Sequence, residues 1–134
     1  MPNGFYGAEQ EWQRREAPLL ELDEGIAAFA GAHGIKVVRN YHGDDPNRML
    51  RWTSRGLERT IQLSREGAEP LAFFIALYAW KDTAHERFTR QLPTRWGIPG
   101  QQMKAELHAL LEEAYLAVEQ LSEEDLELST KSGS

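Results

Sequence analysis

The sequence predicts an α+β domain, a four-stranded antiparallel meander with helices from both ends of the chain gathered on one face. Three observations carry this. Apolar residues recur at helical spacing near each end. Between Ile35 and Trp80, four short runs rich in β-formers are separated by turn residues. The links between those runs are short, which makes neighbours in sequence neighbours in the sheet.

The first helix is marked by Trp12, Leu19, Leu22, Ile26 and Phe29, spaced by three, four and seven. Gly34, directly after His33, suits a left-handed stop. Pro18 removes a main-chain donor, so the segment is either two helices with Pro18 in the first turn of the second, or one helix bent there.

Four strands follow. Ile35–Tyr41 is the first, and Gly43-Asp44-Asp45-Pro46-Asn47 is a turn. Met49–Thr53 is the second, closed by a tight hairpin at Ser54-Arg55-Gly56. Leu57–Leu63 alternates cleanly, and Arg65–Pro70 turns into the fourth strand, Leu71–Trp80, which has no charge and is apolar on both faces. A strand on an open antiparallel sheet normally keeps one wet face, so something is expected to cover the second face of this one.

Thr83, with Glu86 three residues on, reads as the cap of a short helix through Gln91. Leu92–Gly100, with two prolines and two glycines, reads as a loop. The last helix carries Met103, Leu107, Leu110, Leu111, Ala114, Val118 and Leu121 as its apolar stripe. The acidic stretch beyond Ser122 is expected to fray, with one domain over residues 1–128 and a disordered tail over 129–134.

With 134 residues and 41% hydrophobic content, the chain is long enough for a real core. It has no cysteine, hence no disulfide framework or thiolate nucleophile. No apolar run spans a bilayer and the first residues lack the pattern of a signal peptide, so no membrane association and a cytoplasmic home are expected. The net charge of −6 is divided into −4 over residues 1–35, +4 over 36–95 and −6 over 96–134. Acidic helices beside a basic sheet explain this division better than a nucleic-acid surface does.

Two polar clusters invite a chemical reading. His42, Asp44 and Asp45 hold donor types that suit a divalent metal, but the same residues are ordinary turn formers. Asp82, His85 and Glu86 contain a base and a carboxylate, but acids in a first helical turn complement its dipole. A simple meander also places the two clusters at opposite sheet edges, roughly 20–30 Å apart. There is no phosphate loop, no Gly-x-Ser-x-Gly and no His-Glu-x-x-His. No catalytic residue, metal or cofactor is assigned.

The sheet face is more informative. If the helices cover the side of Leu50, Trp52, Leu57, Ile61, Leu63, Phe73, Ile75 and Leu77, the other side shows Arg51, Gln62, Phe74, Tyr78 and Trp80. Aromatic and polar groups with an arginine make up the usual centre of an interface. The reading is a small non-catalytic adaptor or chaperone-like module that binds protein through this face as a homodimer. The architecture is loosely similar to that of small acidic chaperones and adaptors, a likeness of fold alone. The alternative is a small-molecule binding protein or enzyme with a pocket between the sheet and the 93–99 loop, lined by Arg95, Trp96 and Tyr78. Single-stranded nucleic acid is disfavoured, because the chain is acidic and the rings sit on one strand. Arg59 shares the side of Leu57 and Ile61, so it is expected to point under the helices and to need a carboxylate or carbonyls there, met by an acidic helix partner, with Glu21 and Glu24 as candidates, or by a snorkelling route to the sheet margin.

Overall fold

The computed structural model describes residues 3–41, 45–66 and 71–129 of the chain. Its elements are α1 (Asn3–His33), β1 (Lys36–Arg39), β2 (Asn47–Ser54), β3 (Leu57–Arg65), β4 (Ala72–Asp82), β5 (Arg87–Gln91), β6 (Arg95–Pro99), α2 (Gly100–Glu119), a 3-10 turn (Glu123–Asp125) and β7 (Glu127–Ser129). The α+β class holds, but the described sheet has seven strands rather than four. Its order is β1-β2-β3-β4-β5-β7, with β6 also paired to β4, and all the pairs are antiparallel.

The extra strands replace the expected short helix and loop. Thr83–Glu86 is a turn in which the Glu86 N–H donates to Thr83 Oγ1 at 3.1 Å, a cap-like bond that closes a hairpin instead of opening a helix. Nine residues are too few to hold a helix without tertiary help. The outer edge of β4 offers unpaired backbone groups, and Arg87–Gln91 takes the half from Tyr78 to Asp82. Past Pro93 the chain rejoins the same edge as β6, opposite Ala72–Ile75. β4 is therefore interior. The acidic stretch expected to fray instead forms the 3-10 turn and β7, which takes in Ser129 and pairs with β5. Residues 130–134 of the expected tail lie outside the described residues.

α1 is one continuous helix with Pro18 inside it. Pro18 leaves the Arg14 carbonyl without its helical donor, and Arg65 Nη1 lies 3.4 Å from that oxygen. The helix ends as expected. Gly34 adopts φ +66° and the Ile35 N–H reaches back to the Ala30 carbonyl at 2.9 Å. Trp12 is only half-buried and lies outside the core. Between β2 and β3, Arg55 and Gly56 both take positive φ, the geometry of a two-residue hairpin turn.

The core lies between the helices and one sheet face. Leu19, Leu22, Ile26 and Phe29 of α1 meet Met103, Leu107, Leu111 and Val118 of α2 over Leu50, Ile61, Leu63, Phe73 and Ile75. Gly25 permits a close helix approach, since a Cβ there would stand 2.8 Å from Leu107 Cδ2. His33 packs between the Phe29 and Tyr115 rings, each centroid 4.4 Å away, with Glu112 at 3.3 Å from its Nε2.

Two arginines are fully enclosed. Arg59 faces the helices as expected, but Glu21 and Glu24 are not its partners. It donates Nε to Ser54 O at 3.1 Å and Nη1 to the carbonyls of Val118 and Leu121, with Glu119 4.0 Å from Nε. The Val118 and Leu121 carbonyls lie at the α2 C-terminus, where a cation complements the helix dipole, and Val118 O also accepts the Leu121 N–H at 3.1 Å. Arg48 spends all five donors: Nε and Nη2 clasp Asp23 at 2.7 and 3.0 Å, Nη2 also reaches Glu16 at 2.9 Å, and Nη1 reaches Asn40 and the Asn47 carbonyl. Arg39 and Asn40 also donate to Glu16. Arg39 first, then Asn40 and Arg48, hold the Glu16 carboxyl at about 2 against the opposing cost of its burial.

Candidate functional site

Strand register defines the face turned away from both helices. Residues opposite one another in the ladder share a side, so Lys36, Met49 and Arg51 stand beside Thr60, Gln62, Ala76, Tyr78 and Trp80, with Arg87, Thr89 and Gln91 of β5 continuing the row. Phe74 lies on the same side, while its neighbours Phe73 and Ile75 are in the core.

Side chains of the sheet itself partly cover this face. Trp96 tilts over Phe74 with centroids 4.8 Å apart, and is itself 64% exposed. The Arg87 guanidinium lies 4.4 Å from the Trp80 ring centroid, pinned there by two bonds to Asp82 at 2.7 and 3.0 Å. After β1, Asn40 adopts φ +54° and the chain doubles back, bringing Tyr41 under the Arg51 guanidinium at 5.1 Å. Between these covers is a depression of about 240 Å³ lined by Tyr41, Met49, Arg51, Thr60, Tyr78, Trp80 and Arg87. The Tyr78 hydroxyl points to Met49 Sδ at 4.0 Å, and burial pushes this phenol above its usual range. Gln62 donates to Ser64 Oγ at 3.0 Å. Phe74, Tyr78 and Trp80 are all half-buried.

Of the residues singled out in the sequence, Arg51, Gln62, Phe74, Tyr78, Trp80 and Trp96 share this face. Arg95 does not. It points to the helix side, 3.9 Å from Glu113, at the rim of a hollow of about 160 Å³ lined by Ile75, Leu77, Pro93, Leu110 and Ala114. The expected pocket of Arg95, Trp96 and Tyr78 is therefore not formed, because adjacent strand residues point to opposite faces. Tyr41 and Arg87 are site residues that the sequence reading missed. Reading 83–91 as a helix hid the alternation of Arg87, Thr89 and Gln91. For Tyr41 the one available signal is Asn40, a residue type that tolerates positive φ.

The two polar clusters are placed only in part. His42 and Asp44 lie outside the described residues, and Asp45 pairs with Arg15. Asp82 is bonded to Arg87, while His85 and Glu86 are exposed in the hairpin turn. Among the described residues no group of three or more histidines and carboxylates is gathered as for a metal ion, and no helix is long and apolar enough to cross a membrane. Comparison with protein-family models, curated proteins and solved structures finds no match. What the open face offers is ring planes, guanidinium groups, an amide and hydroxyls, which is the chemistry of recognition.

Proposed function

We propose that the protein is a non-catalytic binding module, adaptor-like, that works through the open face of its sheet. The observation that carries this is the row Phe74, Tyr78 and Trp80, half-buried on a face that neither helix covers, with Trp96 exposed beside it. Completing the burial of such rings is worth up to roughly 1.5–3 kcal/mol each, and another chain laid on the face is the means. Aromatic groups interleaved with an arginine are what interface centres are made of.

A homodimer is the form we favour, made at the Phe74–Trp96 end of the face, where an exposed ring stands over a half-buried one. Pairing along β4 has no part in it, since both edges of β4 are occupied. The absence of cysteine fits a cytoplasmic setting. Sedimentation velocity at micromolar concentration tests the dimer. Wild type is expected to sediment as a dimer, and Phe74→Glu as a folded monomer with an unchanged circular dichroism spectrum. A wild-type chain that stays monomeric at every concentration overturns the homodimer.

A small-molecule reading rests on a different place, the hollow under Arg95, where apolar walls from β4 and α2 meet the Arg95–Glu113 pair at the rim. Titration with benzoate, followed through the amide signals of Leu110 and Ala114, decides it.

A further inference from the structure

The β1–β2 hairpin carries two pairs of like charges directly opposite each other, a destabilising arrangement in an antiparallel ladder. Arg39 faces Arg48 on the helix side, and Lys36 faces Arg51 on the open side. The first pair is answered from within the fold, since Glu16 takes bonds from both arginines and Asp23 clasps Arg48. The second is not. Among the described residues no carboxylate pairs with Lys36 or Arg51, and the Arg51 guanidinium rests instead on the Tyr41 ring. The two acids nearest in the face are already engaged, Glu58 with Thr53 and Asp82 with Arg87. In a chain of net charge −6, this face keeps two cations without an internal counter-charge among the described residues.

We propose that the depression beside Arg51 seats an acidic side chain from an extended segment of a partner protein. This rests on the open face being the working surface. Arg51 supplies the charge, and its planar fork matches a carboxylate. Tyr41, Tyr78 and Trp80 form walls for the aliphatic stem, and Arg87, held by Asp82, serves as a wall and not as the anion's partner. The volume of about 240 Å³ has room for a glutamate side chain and part of a neighbour. The seat, level with Tyr78, lies about 13 Å along β4 from Phe74, so a copy-to-copy contact there and an acidic segment here are compatible. A second copy's matching patch is a poor occupant, because it brings Lys36 and Arg51 of its own. Nucleic acid would also present anions, but a phosphate backbone favours a longer basic track than two uncompensated cations.

The test uses the full chain and nuclear magnetic resonance, following the Trp80 indole N–H. The probes are the end-blocked peptides acetyl-(Glu-Val-Ser)₃-amide and acetyl-(Gln-Val-Ser)₃-amide, and a ten-residue oligothymidylate. The glutamate peptide is expected to shift the Trp80 signal saturably, and about tenfold more tightly than the glutamine peptide. Arg51→Gln, a half-exposed position whose change leaves the amide spectrum otherwise intact, is expected to lose the same factor, and Lys36→Gln a smaller one. Binding is expected to weaken several-fold from about 50 to about 300 mM salt and to survive Phe74→Glu. Equal binding of the two peptides, no shift with either, or no loss in Arg51→Gln overturns the proposal. So does a shift with oligothymidylate alone, in favour of nucleic acid. None of these results touches the dimer at Phe74, which sedimentation judges separately.

Discussion

Phe73 and Phe74 are consecutive on β4 and lie in opposite environments. Phe73 is 2% exposed beneath the helices, whereas Phe74 is half-buried under the ring of Trp96. Truncation should separate them. Phe73→Ala is expected to cost about 3–5 kcal/mol in urea denaturation, and Phe74→Ala about 1 kcal/mol in the monomer, because the site under Trp96 is already open to water. Comparable losses at both positions would mean that Phe74 belongs to the core.

Arg59 should be irreplaceable for stability. Arg59→Leu removes one donor from each of the carbonyls of Val118 and Leu121 at the end of α2, which keep only the Leu121 N–H and the Arg55 guanidinium, at an expected cost of roughly 1–3 kcal/mol. Arg59→Lys should recover less than half, since one ammonium cannot span Ser54, Val118 and Leu121 together. Denaturation midpoints of the two variants check this, and a neutral Arg59→Leu would deny the capping role.

Glu16 should make the fold acid-sensitive. Its carboxyl lies at about 2 in the folded chain, against 4.5 as the ordinary value. A depressed carboxylate contributes fully above the unfolded value and loses its contribution as pH falls toward the folded one. The difference corresponds to about 3 kcal/mol near neutrality, falling below about 1 kcal/mol near pH 2.5. Glu16→Gln is expected to be less stable than wild type by that amount at neutral pH and to converge with it in acid. Parallel pH profiles would assign the acid sensitivity elsewhere.

Removing residues 122–134 should expose the outer edge of β5 without unfolding the domain. Hydrogen exchange at Arg87, Phe88 and Thr89 is expected to accelerate about tenfold or more, while β2 and β3 stay protected. Global unfolding of the truncated chain would show that β7 supports the whole sheet.

Periodicity made both helices and four strands legible, because each has one continuous apolar side that follows its own repeat. The 83–99 segment was not legible. Its local cap signal at Thr83 and Glu86 is real, but the free edge of β4, a tertiary feature, outcompeted it. Arg59 could be placed because strand alternation fixes its face. Its acceptors could not, since main-chain carbonyls at a helix end have no residue signature. Arg48 went unnoticed for a related reason: its partners Glu16 and Asp23 are separated from it by more than twenty residues. The open face was readable from parity alone, whereas the depression in it depends on Tyr41 folding back.

The pairing of α1 with α2 has a consequence for how the chain is made. Strands β1 to β5 pair each with the next, so the sheet can form as it emerges from the ribosome. The apolar stripe of α1 appears first, but its cover ends at Val118, about 90 residues later. At about 5–20 residues per second, Leu19, Ile26 and Phe29 wait roughly 5–20 s for it. During that interval the nascent chain presents an α1 stripe that only the sheet covers, with its α2 side open, the kind of surface that ribosome-associated holdases collect. Pro18 and the charged helical turn around Arg14 and Arg15 limit how far that surface extends toward the N-terminus.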